Sequence, residues 1–589
     1  MSETANQDQA AAAAAGQGSN HQDRGTRLRI RPALIIVVAQ ISLTLGVSLL
    51  GSTIVQDVIA FAVVPGVAAL LLIIWWLAAS RAPIRDRLIG LALFAAALGW
   101  VVFTQKELLN GAILLVFAVP TLTTGVVAVL AATFWLRWPV RRWIVATLMV
   151  VCAGAFTAMH VDSVSGTLVP ILSWRWTPTA DDLSTGLPPL KGGGTALLPA
   201  QAGPGDWPGF RGPARDSHVA GTKFSTNWGT PPREMWRRRV GVGWSSFTAV
   251  GDYVFTQEQR GGEELVTCYR AETGENVWVN RVDAQREDTM GAGPRATPTF
   301  DQGRLYTLGA TGILQCLDAA TGNTVWKRSL TTDVGAEVPG WGFSSSPLVA
   351  GELLIVFTGA GEGKSVAAYN RASGDVAWRA GHASGGYSSP HLARIGQVPQ
   401  VVMNSDFGVQ SFEPDTGTLL WEHSWKAKGS PRVVQPLFMD PGSVLLGATG
   451  SMGTRLLRIE KQEKTWSVKE EWTTRKLRPY FNDFVVHKGH CYGFDGNRLA
   501  CIDAITGKLQ WEGKRYGGQL LLISDMDMLL VLSETGNVIL IPATPEGFRE
   551  IASFKAITGK TWNHPVVAHG KLFVRNAQEA ACFALGTTP

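Results

Sequence analysis

Polar and apolar positions divide this chain into two materials. Five stretches are apolar without alternation: Ala33 to Ser52, Val55 to Ala79, Leu88 to Thr104, Ala112 to Leu136 and Trp143 to His160. Each is 17 to 25 residues long, the length that carries a helix across about 30 Å of hydrocarbon with every backbone group paired internally. Beyond Asp206 the apolar runs shorten to strand length, and one pattern keeps returning. It is CLDAATGNTVW at Cys316 to Trp326, CYRAETGENVW at Cys268 to Trp278, AYNRASGDVAW at Ala368 to Trp378, SFEPDTGTLLW at Ser411 to Trp421 and CIDAITGKLQW at Cys501 to Trp511. Each copy reads as a hairpin: an apolar strand, a turn whose glycine takes positive φ, then a strand ending in Trp. Weaker copies lie at Arg458 to Trp472, without the Thr-Gly, and at Leu540 to Phe554, with Phe for Trp.

The recurring aromatics are 39 to 52 residues apart, which suits one four-stranded propeller blade. The two ends complete the count. MWRRRV (Met235 to Val240) is an aromatic-bearing strand with no hairpin before it, and AACFAL (Ala580 to Leu585) is an inner strand with no Trp after it. Joined, they make an eighth blade that closes the ring and leaves no unpaired edge between first and last blades. The expected architecture is therefore a multi-pass α-helical membrane domain of five helices, followed by an all-β eight-bladed propeller. Its divisions are a disordered tail (1–32), the helices (33–160), a Pro/Gly/Ser/Thr-rich linker (161–206) with one short interfacial piece, SWRW, and the propeller (207–589).

The register of Asp, Thr-Gly and Trp resembles the pyrroloquinoline-quinone (PQQ) repeat, found in quinoprotein alcohol and glucose dehydrogenases and in outer-membrane-assembly propellers of the BamB kind. The resemblance covers about Asp206 to Pro589 and includes the lead-in DWPGFRGPARD (Asp206 to Asp216). It implies the fold. It does not choose a chemistry, because enzymes and non-enzymes both carry the repeat.

Charge adds an orientation. Arg24, Arg27, Arg29, Arg31, Arg81, Arg85, Arg87, Arg137, Arg141 and Arg142 flank one side of the apolar stretches and Lys106 the other. This asymmetry places the N-terminus in the cytoplasm and, after five crossings of an inner membrane, the β domain in the periplasm. Trp75, Trp76, Trp100, Trp135, Trp138 and Trp143 fall near helix ends, as interfacial anchors do. The net charge of +6 reflects those arginines, and no basic stripe with interleaved aromatics points to nucleic acid. Asp57 and Glu107 read as solvated loop residues at helix edges. Cys268, Cys316, Cys501 and Cys582 share one repeat position on different blades, and Tyr492, not Cys491, faces Cys501 across the turn at Asp495 to Arg498, so no disulfide is expected. His487, His490 and Cys491 read as hairpin residues and not as a zinc site.

Propeller ligands meet the axis on loops that enter the innermost strands. Here those loops are WSSF from Trp244, RATP from Arg295, SSSP from Ser344, YSSP from Tyr387, VVQP from Val433, YFND from Tyr480, YGGQ from Tyr516 and WNHP from Trp562. The position before the proline recurs as Ser246, Thr297, Ser346, Ser389, Gln435, Asn482 and His564, and its hydroxyls read as satisfying backbone groups. Departures from the repeat mark a candidate ligand funnel: Trp244, Arg295, Trp341, Tyr387, Arg432, Tyr480, Asn482, Asp483, Trp562 and His564. A cationic, aromatic funnel suits a planar anion, a sugar or an acidic peptide. The residues themselves establish no cofactor, no metal and no catalytic group. The likeness to quinoprotein dehydrogenases implies PQQ and Ca²⁺, with Asn482 and Asp483 as metal ligands and Asp483 as the base. A binding scaffold, with the lipid bilayer and an envelope protein or small ligand as partners, ranks ahead of that enzyme, whose electrons would pass to membrane quinone.

Overall fold

The computed structural model describes residues 28–50, 56, 58–105, 108–166, 169–190, 192–288, 290–426, 431–440, 442–463 and 465–586. Residues 1–27 of the expected tail, with Asp57, Lys106 and Glu107, lie outside them. The chain divides into two compact units, one helical and one β.

The helical unit contains Arg31–Leu50, Ile59–Ala79, Ile84–Phe103, Leu108–Ala132 and Trp138–Thr157. Four of the described helices are long and apolar enough to cross a membrane. Three helices start four or five residues before the apolar runs do, because Ile84, Leu108 and Trp138 begin turns whose polar members the hydropathy pattern excludes. Leu72, Trp75, Phe94, Leu122 and Trp138 form the interior. The outward side chains are apolar as well, Val38, Leu70, Phe103 and Val150 among them, and a helix apolar on every face needs an apolar surrounding. The arginine-bearing segments meet at one end of this unit: Trp75 Nε1 donates to Arg29 O (2.9 Å), Trp76 Nε1 to Arg87 O (3.1 Å), and Trp138 Nε1 to Asp86 Oδ2 (2.6 Å).

The described β unit holds eight blades of four antiparallel strands, the seventh carrying one added parallel strand. Seven blades are built from consecutive strands, starting at Thr248–Val250 and ending at Ala552–Lys555. The eighth joins Val566–Ala568, Lys571–Arg575 and Glu579–Ala584 to the N-terminal strand Arg233–Arg239, with Trp236 opposite Cys582. The ring therefore closes through the two predicted ends. In the same register Cys268 faces Trp278, Cys316 faces Trp326, Ala368 faces Trp378, Ser411 faces Trp421 and Cys501 faces Trp511. The first residue of each repeat is small because an indole lies across from it. The described cysteines are all free, and those of the propeller are buried.

Blades are fastened to one another by the same tryptophans. Trp278 Nε1 donates to Ala319 O of the next blade (3.1 Å), and its ring covers Gly322, whose φ is +75°. Trp236 on Gly274, Trp326 on Gly374 and Trp378 on Gly417 repeat the arrangement. Where the fifth blade lacks Thr-Gly, Trp421 Nε1 turns back to Gln400 Oε1 of its own blade (2.6 Å).

The expected linker is more structured than its composition suggests. Met159–Val164 and Pro170–Trp174 form a two-stranded sheet that takes in part of SWRW, and Ala180–Thr185 is a helix with a Thr179–Asp182 capping box. Farther on, Gly194 N donates to Val277 O and Ala196 N to Ala320 O, so this segment runs along the first two blades. Its order comes from partners distant in sequence, which a local pattern does not reveal.

Candidate axial pocket

Each innermost strand is entered through a loop whose alternate residues face the axis. Trp244 and Ser246, Arg295 and Thr297, Tyr387 and Ser389, Phe481 and Asp483, Trp562 and His564 line one cavity in pairs two residues apart. Its volume is about 150 Å³. Beneath the outer layer runs a ring of hydrogen bonds: Ser246 N donates to Thr297 Oγ1 (3.2 Å), Thr297 N to Ser346 Oγ (2.9 Å), Ser346 N to Ser389 Oγ (2.9 Å) and Gln435 N to Asp483 Oδ1 (2.7 Å). Small polar residues recur there because each neutralises a backbone N–H of the preceding blade.

This ring corrects the sequence alignment by one residue in the sixth blade. Asp483, not Asn482, takes the pre-proline position, and Phe481 takes the place equivalent to Trp244. Asn482 is fully buried beside the cavity, accepting from Tyr480 N (3.1 Å) and donating to Gly518 O (3.1 Å). Arg432 is the second departure. It is buried between blades, donates to Ser405 O (3.3 Å) and to Trp425 O, and lies over the Trp425 ring. The other eight funnel residues, Trp244, Arg295, Trp341, Tyr387, Tyr480, Asp483, Trp562 and His564, line the cavity.

The floor was not foreseen. The lead-in DWPGFRGPARD crosses the channel and is continued by His218–Val219, which pairs in parallel with Gln519–Ile523 of the seventh blade. Arg211 donates to Phe484 O (2.8 Å) and Ser217 Oγ (2.8 Å), and Arg215 to Ser346 O (3.1 Å) and Pro347 O (3.1 Å). Phe210 faces the cavity. His564 stacks on Trp207 and its Nε2 meets Ser217 Oγ at 3.0 Å. Burial, then the Arg211 charge, lowers its pKa to about 3, so it is a neutral imidazole. Arg211 lies 3.5 Å from Asp483 Oδ1. Burial raises the Asp483 pKa, and Arg211 with the Gln435 N–H opposes that rise.

Around the mouth the aromatics touch in series. Trp244 meets Trp562 (5.0 Å between centroids), Trp562 meets Phe481 (4.9 Å), Tyr480 meets Trp341 (6.3 Å) and Trp341 stacks on Tyr387 (4.7 Å). The cations are matched: Arg295 Nη2 bonds both Asp288 oxygens (2.9 and 3.0 Å), and Lys560, whose pKa burial lowers to about 8, sits over Trp562 in the field of Glu534. The expected cationic funnel is therefore an aromatic cup with its charges paired.

A calcium-bound quinone does not fit these residues. Asp483 is held by Arg211 and Gln435, Asn482 has both ends of its amide engaged by backbone, and no group of three His, Cys, Asp or Glu among the described residues could hold a metal.

Fold and repeat register define the class, an eight-bladed propeller of the PQQ-repeat type. The chain belongs to the family described as outer membrane protein assembly factor BamB, whose model matches residues 228–399 and 405–587. Outer membrane protein assembly factor BamB of Bordetella pertussis is 27% identical over 190 residues, 32% of this chain and 44% of that protein. The chain thus spans under half the length of that curated relative. Two solved structures share the fold. Quinohemoprotein alcohol dehydrogenase from Pseudomonas putida HK5 has a TM-score of 0.51 at 14% identity, over 67% of this chain and 84% of that one. The enzyme of that name from Comamonas testosteroni has a TM-score of 0.50 at 13% identity, over 65% and 81%.

Proposed function

We propose that the chain is a propeller anchored in the inner membrane, exposed outside the cytoplasm, and acting as a binding scaffold of the cell envelope without turnover. One observation carries the reading: the polar groups that redox chemistry would need at the axis are bonded to one another, leaving an aromatic cup. Binding calls for such a surface, whereas a quinone enzyme needs a free base and oxygen ligands for its metal. Membership of the BamB family supports a place in the envelope. The apolar helices, with arginine-bearing segments gathered at one end, support a multi-pass anchor with a cytoplasmic N-terminus.

The test is to purify the full chain, add PQQ and CaCl₂, and record quinone absorbance together with dye reduction by alcohols and aldoses. The expected outcome is no dye reduction above the protein-free control. Reduction that disappears in Asp483→Ala would replace this reading with a dehydrogenase. In intact spheroplasts, external protease is expected to remove the β unit; its protection would refute the topology.

A further inference from the structure

Two hydrogen-bond donors at the cup have no partner among the described residues, Trp244 Nε1 and Arg295 Nη1. Both are buried atoms of residues that line the cavity, and the Arg295 side chain is 10% exposed. Gly291 lies beside both side chains. Arg295 Nη2 donates to Gly291 O (3.0 Å), and a Cβ at Gly291, whose φ is +124°, would stand 3.0 Å from Trp244 Nε1. A buried donor left unpaired costs about 1–3 kcal/mol, so the site is built for a molecule that brings acceptor oxygens.

The charge balance restricts which molecule. Asp288 takes two bonds from Arg295 and lies 3.7 Å from Arg286, and Lys560, in the field of Glu534, donates to Met290 O (3.1 Å) and Val164 O (3.0 Å), so among the described residues each cation at the mouth already faces a carboxylate. The walls offer flat rings, chiefly the Trp341–Tyr387 stack, and hydroxyls at Tyr387 and Ser389 that can accept as well as donate. A ring with apolar faces and neutral oxygens at its edge satisfies all three conditions.

We infer that the axial cup binds a neutral pyranose, its face on Trp341 and Tyr387 and its oxygens accepting from Trp244 Nε1 and Arg295 Nη1. This deepens the scaffold reading and rests on it. The ligand would be a sugar unit of an envelope glycan or a free sugar, which share this chemistry.

The experiment uses the full chain in lipid nanodiscs, free of glycosidic detergent, with methyl β-D-glucopyranoside, N-acetylglucosamine, a short chitin oligosaccharide and D-glucuronate as probes. Saturation-transfer NMR and calorimetry read binding. A neutral pyranose is expected to bind, with glucuronate about tenfold weaker. Trp244→Phe, which keeps the ring and loses the donor, should weaken binding about fivefold, and Trp341→Ala should abolish it while the thermal midpoint of Trp244→Phe stays at the wild-type value. Tighter binding of the oligosaccharide than of its monomer identifies a glycan; equal binding identifies a free sugar. No transfer to any neutral sugar, tighter binding of glucuronate, or an unchanged affinity in Trp244→Phe each overturn the inference. PQQ-dependent dye reduction would instead remove the scaffold reading, whatever the sugars do.

Discussion

Replacing Arg211 by methionine is expected to destabilise the propeller by about 3–5 kcal/mol, the cost of leaving a buried charge without its partner. Arg211 is 1% exposed and ties the lead-in to the sixth blade through Phe484 O and to Asp483. Without it, Asp483 keeps, among the described residues, the Gln435 N–H and the Arg215 charge. The pH dependence follows from the direction of the shift. Burial already raises the Asp483 pKa above its unfolded value. A raised carboxyl favours the folded state below its unfolded pKa, and that advantage is lost as pH rises through the folded pKa. Removing Arg211 raises the folded pKa further, so the penalty should be largest near neutrality and shrink on acidification. Asp483→Asn in the Arg211→Met background should recover part of the loss at neutral pH and flatten its pH dependence. Denaturation of the full chain, followed by tryptophan fluorescence from pH 5 to 8, reads both effects. An Arg211→Met penalty that does not change with pH would mean the carboxylate is not the cause.

The same residues explain what could be read in advance. Blade number and ring closure were legible because their signal is periodic: a Trp must meet the small residue across its strand and a left-handed Gly on the next blade. The axial loops were legible where a proline anchored the alignment, as at Pro298, Pro347 and Pro390. At YFND no proline stands, and the alignment slipped by one residue, exchanging Asn482 for Asp483. Arg432 was misjudged for another reason. An arginine that donates to carbonyls between blades, with its guanidinium over Trp425, looks the same in sequence as one aimed at a ligand. The lead-in was unreadable as a floor because its partners lie far away in the chain, Pro347 for Arg215 and Phe484 for Arg211. Two arginines in a Gly/Pro-rich segment were the available signal, since such cations need carbonyls from elsewhere once buried.

The blade joint itself is open to a matched comparison of two glycines. Gly303 and Gly322 have nearly equal φ, +71° and +75°, so alanine at either forces the same left-handed backbone, at about 1–3 kcal/mol. They differ in what a Cβ would meet. At Gly303 there is nothing within 4 Å, whereas at Gly322 the Trp278 ring lies 2.4 Å away. Trp278 is 1% exposed and bonded to Ala319 O, so moving it also disturbs that bond. Overpacking of this kind adds about 1–3 kcal/mol. Gly322→Ala is therefore expected to lower stability by about 2–6 kcal/mol in total, clearly more than Gly303→Ala under the same denaturant series. Combining Gly322→Ala with Trp278→Leu should cost less than the sum of the single changes, because the shorter side chain leaves room for the new methyl. Equal losses at the two glycines, or strict additivity in the double variant, would show that the indole can move aside freely and that the recurrent Trp and Gly do not act as a joint.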